Sequence, residues 1–94
     1  MRKIRILLIE DELDHVDLFK LRMQDLRLAN TIVVYQSGVK AMEYLKSRLG
    51  QEGEQGELPD IVMLDLGLPG ESGLDFLKEI KGHPDFKHIP VIIH

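Results

Sequence analysis

Three acidic side chains stand at corresponding places in this sequence. Glu10 and Asp11 follow the apolar run Ile4–Ile9, and Asp65 follows the apolar run Ile61–Leu64. If both runs are strands of one parallel sheet, their C-terminal ends point the same way and the three carboxylates meet at one rim. Like charges that close raise each other's energy unless something neutralises them. Hard carboxylate oxygens suit a divalent cation such as Mg²⁺, which takes one or two carboxylates together with waters and phosphate oxygens. The spacing therefore points to a metal-dependent phosphoryl site built on Glu10, Asp11 and Asp65.

The elements that would carry these residues can be read in order. Ile4–Ile9 is nearly all apolar, interrupted only by Arg5, as expected of a strand covered on both faces. A helix is predicted over 13–26, with Leu13, Val16, Phe19, Met23 and Leu26 as its apolar stripe and Asp11 or Glu12 at its start, where acidic groups complement the helix dipole. The β-branched run 31–35 predicts a second strand. Ser37 is the expected N-cap of a helix over 38–49, with Val39, Met42 and Leu45 facing inward. Residues 50–59, with three glycines, three glutamates and no basic residue, read as an exposed loop. The strand Ile61–Leu64, a turn over 65–73, a helix over 74–81 and a strand at Val91–Ile93 complete the order β-α-β-α-β-α-β. Such alternation implies an open, doubly wound parallel α/β sheet. Ligands bind outside the strand C-termini of such sheets, at the switch point of the chain, which is where the three carboxylates fall.

Composition narrows the function further. A chain of 94 residues is one domain, and 44% apolar content is enough for a modest core. The absence of cysteine removes disulfides, thiolate metal sites and cysteine nucleophiles. A net charge of −4 with interspersed signs argues against direct nucleic-acid binding by this segment. No apolar run approaches the roughly 20 residues of a membrane span, and the start, Met1-Arg2-Lys3-Ile4-Arg5, has no secretory pattern. A cytoplasmic protein is the expectation.

The most specific segment is Asp65-Leu66-Gly67-Leu68-Pro69-Gly70-Glu71-Ser72-Gly73. Pro69 fixes the turn, while Gly67, Gly70 and Gly73 allow backbone to approach a ligand, so that the Gly67 carbonyl is a further candidate metal donor. Alone, Asp65 would read as a turn cap and Glu10-Asp11-Glu12 as an acidic helix start; together they favour a metal. Glu12 reads as a solvated first-turn residue. His15, His83, His88 and His94 have no metal spacing with one another, and His83 and His88 read as surface residues; His15 lies near the proposed site. Gly50, Gly53 and Gly56 do not make a phosphate loop, because the interleaved glutamates would repel phosphate and no helix opens there. Tyr44 is expected to be half-buried, and Met42 and Met63 to be core.

These residues resemble, in order and over essentially the whole chain, the receiver domain of two-component response regulators. The acidic pair, the strand-end Asp65, the Leu68-Pro69 turn with Gly73, and Ile89-Pro90-Val91-Ile92-Ile93 carry the resemblance. The acidic loop before Pro59 and the His83-Pro84 segment are similar to single-domain receivers that serve phytochrome-type histidine kinases. The resemblance implies a flavodoxin-like sheet of order 2-1-3-4-5. It implies that Asp65 accepts a phosphoryl group from the phosphohistidine of a sensor histidine kinase. Asp11, Asp65 and the Gly67 carbonyl would hold Mg²⁺, with Glu10 acting directly or through water. The expected protein signals by conformational change and is no enzyme beyond its own phosphotransfer.

The family also uses a Ser or Thr at the end of its fourth strand, a Lys at the end of its fifth and an aromatic switch residue, none of which occurs before His94. Residues 1–94 are therefore expected to be an incomplete receiver: a fragment of a longer chain, a proteolysed product, or a half completed by a second copy through self-association. Apolar parts of all three core strands and one strand edge would then be exposed. The competing expectation is a phosphorylation-independent interaction module of the same fold. A phosphatase of the haloacid dehalogenase type is excluded, because it needs an Asp at position 67, which is Gly.

Overall fold

The computed structural model describes residues 3–26, 30–68 and 72–94. Four parallel strands, β1 (Ile4–Ile9), β2 (Asn30–Tyr35), β3 (Ile61–Leu64) and β4 (Val91–Ile93), lie in the order β2-β1-β3-β4. Helices α1 (Leu13–Asp25), α2 (Gly38–Ser47) and α3 (Ser72–Gly82) connect them. This is the expected order through its fourth strand. β1 pairs with β2 from Ile4↔Asn30 to Ile9↔Tyr35 and with β3 from Ile6↔Ile61 to Ile9↔Leu64. The chain runs outward from β1 to β2 and then returns to β3, so the crevice between the ends of β1 and β3 is the switch point.

Successive strand residues face opposite sides of a sheet. On one side Leu7, Ile9, Val62 and Leu64 join Ala41, Met42 and Leu45 of α2, Phe76 and Ile80 of α3, and Phe86 and Ile89 of the following turns in one buried cluster. The apolar repeat of α2 is Gly38, Ala41, Met42 and Leu45, the i, i+3, i+4, i+7 pattern of one helix face. Val39, expected in that stripe, is exposed, because it sits one position off this repeat. Ser37 caps α2 as expected, its hydroxyl accepting from the Lys40 backbone N–H at 3.2 Å.

On the α1 side the expected stripe is only partly covered. Val16 is buried, Phe19 and Met23 are half-buried, and Leu13 and Leu26 are exposed. Leu13 opens the first turn and Leu26 follows the last, at the two ends of the helix. Exposure of the strands is smaller than expected: Ile6–Ile9 is fully buried, Ile61 and Met63 are half-covered, and only Ile92 and Ile93 of β4 are exposed. Glu12 occupies the N-cap of α1, but its side chain makes no capping bond.

The 50–59 segment is more ordered than its composition suggests. Gly53–Gly56 forms a 3₁₀ turn, and the Arg48 guanidinium donates to the carbonyls of Glu54 and Glu57 while lying 5.0 Å over the Tyr44 ring. A basic residue outside the loop thus supplies the donors that the loop lacks. His83 is no simple surface group, since its ring stacks on buried Phe86 at 4.1 Å and accepts the Asp85 backbone N–H. Among the described residues, no helix is long and apolar enough to cross a membrane.

Candidate metal site at the sheet rim

The rim is set by backbone pairing that continues just past the strands. Glu10 donates its N–H to Tyr35 at 3.0 Å, and Asp65 donates its N–H to Ile9 at 3.2 Å. These bonds hold the first residues after β1 and β3 side by side. Glu10, Asp11 and Asp65 each present a carboxylate oxygen, and the three oxygens lie within 4.8 Å of one another. The three sequence-predicted carboxylates are therefore brought together at the switch point.

Glu10 is buried, 2% exposed, whereas Asp11 and Asp65 are half-buried. Burying an ionised carboxylate is costly unless it is paired. Oε2 of Glu10 accepts the Glu12 backbone N–H at 3.3 Å, and Oε1 meets His15 Nδ1 at 3.1 Å. The other nitrogen of His15 lies 3.3 Å from Glu12 Oε2. The His15 pKa is raised above its ordinary value, first by the hydrogen bond to Glu10 and then by the charge of Glu12, with the charges of Glu10 and Asp65 adding to it.

Asp65 Oδ1 accepts the Gly67 N–H at 2.7 Å. A side chain at Gly67 would begin 3.1 Å from that oxygen, so the glycine keeps the approach open. A side chain at Gly73 would meet the Asp65 carbonyl at 3.1 Å and the Leu66 Cα at 3.3 Å, which lets α3 start close beneath the rim. Asp65 Oδ2 has no hydrogen bond among the described residues. Pro69, Gly70 and Glu71 of the expected turn lie outside the described residues.

The donor set fits a hard divalent cation. All three groups are carboxylates, their mutual repulsion is relieved by a positive charge, and two remain partly open to water. His15 is the rim residue that sequence reasoning undervalued. Its position three residues after Glu12 on a helix start was the available signal.

Comparison with known proteins agrees with this fold. The family model described as response regulator receiver domain matches residues 6–94. Response regulator Rcp1 of Synechocystis sp. is 33% identical over 88 residues, covering 94% of this chain and 58% of Rcp1. The solved structure of the phosphorylated cyanobacterial phytochrome response regulator RcpA superimposes with a TM-score of 0.81 at 34% identity, over 98% of this chain and 64% of RcpA. The Mn²⁺-bound form of Rcp1 gives a TM-score of 0.80 at 33% identity, over 96% of this chain and 63% of that one. The chain thus spans about three fifths of the length of these relatives. The family match over residues 6–94 joins a parallel sheet of order β2-β1-β3-β4 with an acidic rim at its switch point, and the chain belongs to the response regulator receiver domain family.

Proposed function

We propose that this domain is a phosphoacceptor: Asp65 takes a phosphoryl group from the phosphohistidine of a sensor histidine kinase in a Mg²⁺-dependent reaction. The observation that carries this reading is the meeting of Glu10, Asp11 and Asp65 within 4.8 Å at the end of β1 and β3. Asp11, Asp65 and the Gly67 carbonyl are the metal donors of this reading, and Glu10 contributes directly or through water. Bound there, Mg²⁺ supplies positive charge to the phosphoryl oxygens.

The chain's own groups account for the rest. The Gly67 N–H engages Asp65 Oδ1, which leaves Oδ2 as the nucleophile of this reading. Oδ2 bonds to phosphorus as the P–N bond of the donor imidazole breaks in line, and the bonding pair leaves with the imidazole nitrogen. The product is an acyl phosphate on Asp65. The added charge, nearly two units at neutral pH, changes the field at the rim and reorganises neighbouring loops, which is how the domain signals. A phytochrome-type kinase is the narrower proposal, supported by the likeness to RcpA and Rcp1. The setting is cytoplasmic, because the kinase draws its phosphoryl group from ATP.

Beryllofluoride with Mg²⁺, a mimic of the acyl phosphate, tests the reading by ¹⁹F NMR. A bound resonance is expected for the wild type and none for Asp65→Asn. A bound signal that survives Asp65→Asn, or none in either protein, overturns the phosphoacceptor assignment and leaves an interaction module of the same fold.

A further inference from the structure

Glu10 is the one charged side chain that is fully buried among the described residues, so its satisfaction is a physical requirement of the rim. Its two oxygens are held from different directions. The Glu12 N–H reaches Oε2 at 3.3 Å, and the imidazole reaches Oε1 at 3.1 Å. One bond leaves a carboxylate to rotate about its last torsion, whereas two bonds to opposite oxygens fix its plane. An ionised carboxylate only accepts, so this contact is a hydrogen bond in the tautomer that carries its hydrogen on His15 Nδ1.

His15 is itself well placed to do this. It sits in the first turn of α1, where the Val16 N–H bonds the Glu12 carbonyl at 3.2 Å and the Val16 side chain is buried. The ring is half-exposed, at 56%, so little of the core depends on it. It also contributes no atom to the group of three carboxylates. Its one hydrogen bond to that group is the one to Glu10.

We propose that His15 is a positioning residue of the metal site: its Nδ1–H fixes the plane of the Glu10 carboxylate and so raises the affinity of the rim for Mg²⁺. The proposal rests on the reading of this rim as the Mg²⁺ site. It requires an N–H at the Nδ1 position and no charge on the ring. Partners of metal ligands that orient them in this way carry about 10- to 100-fold in affinity.

Calorimetric titration of the whole chain with MgCl₂ tests it at about pH 8.5, two units above the ordinary imidazole value. His15→Leu removes the donor, His15→Asn keeps an amide N–H close to the Nδ1 position, and His15→Gln places its amide near Nε2 instead. Leu and Gln are expected to weaken Mg²⁺ about tenfold, and Asn to stay within about threefold of the wild type. In the Glu10→Gln background, His15→Leu is expected to change nothing further. Circular dichroism melts establish that every variant is folded.

Wild-type affinity in His15→Leu overturns the proposal, as does Asn behaving like Leu, or an undiminished Leu effect without Glu10. Asp11→Asn and Asp65→Asn separate the two levels of argument. Unaltered Mg²⁺ binding in both means that the rim is not the metal site, and the proposal falls with that reading. If they abolish binding while His15→Leu is silent, the metal site stands and only the role of His15 falls.

Discussion

The two faces of the sheet are built to different standards. Toward α2 and α3, Leu7, Ile9, Val62 and Leu64 meet Leu45, Phe76, Ile80 and Phe86, and every one of these is buried. Toward α1, Ile6 and Leu8 are buried, but Val16 is the only buried residue of the helix, and Leu18 and Leu21 are about half-exposed. The rim carboxylates come from the ends of the central strands, while His15 comes from the lightly packed α1. The teaching is that the strands hold the site's position and a weakly anchored helix holds one of its contacts. Elements that respond to a ligand come from the less stable part of a structure.

The largest expected effect lies on the well-packed face. Phe86 is fully buried and stacked under His83, so Phe86→Ala should destabilise the protein by about 3–5 kcal/mol in urea denaturation, through lost transfer energy and the cavity left behind. A cost under about 1 kcal/mol would mean that this side can collapse, and the contrast between the faces would lose its basis.

Much of this asymmetry is absent from the sequence, and the reason is specific. The periodicity of α2 and α3 is legible because each buries one narrow stripe. α1 carries apolar residues around most of its circumference, at Leu13, Val16, Leu18, Phe19, Leu21, Met23 and Leu26, so its pattern does not say which of them the sheet covers. The rim was legible for the opposite reason. Strand ends in a parallel sheet are fixed by topology, so Glu10, Asp11 and Asp65 could be brought together from chain order alone. His15 could not, because the fold of α1 over Glu10 depends on how the helix enters. The anchoring of the 50–59 loop by Arg48 was likewise hidden, since that residue ends the preceding helix and its loop partners are backbone carbonyls.

The next effect concerns the rim. Removing one of three neighbouring carboxylates relieves repulsion, so Asp65→Asn should raise metal-free stability by on the order of 1 kcal/mol. The wild type should gain about 2.7 kcal/mol with Mg²⁺ at a hundred times its Kd, and Asp65→Asn should gain almost nothing at the same concentration. Melting curves with and without MgCl₂ read both. A variant that is less stable than the wild type without metal would show that Asp65 is held by favourable contacts and not by topology.

The lightly packed face should be forgiving. Leu21 is 55% exposed, and Leu21→Ala should stay within about 0.5 kcal/mol, the range of surface substitutions. A loss comparable to that of Phe86→Ala would place α1 in the stable core and erase the difference between the faces. The Lys46–Glu79 pair, which ties α2 to α3 at 2.6 Å, has both side chains about half-exposed. Its removal should also cost less than about 0.5 kcal/mol after solvent screening.

The smallest expected effect is a pH dependence at the junction of α1 and the rim. The His15 pKa is raised in the folded state, chiefly by the Glu10 hydrogen bond and then by the charge of Glu12. A raised pKa means that the folded state binds the proton more tightly than the unfolded one. The stabilisation is therefore fully present below the ordinary value of 6.5 and is lost as pH rises through the higher folded value. Metal-free wild type should thus lose melting temperature across that window relative to His15→Leu, and the two curves should run parallel on either side of it. The effect is confined to the α1 turn, since protonation lets the ring donate to Glu10 and Glu12 together, while the neutral ring keeps only the first. Curves that stay parallel throughout would mean that the ring does not hold both carboxylates in the folded protein, and that α1 contributes even less to the rim than its packing suggests.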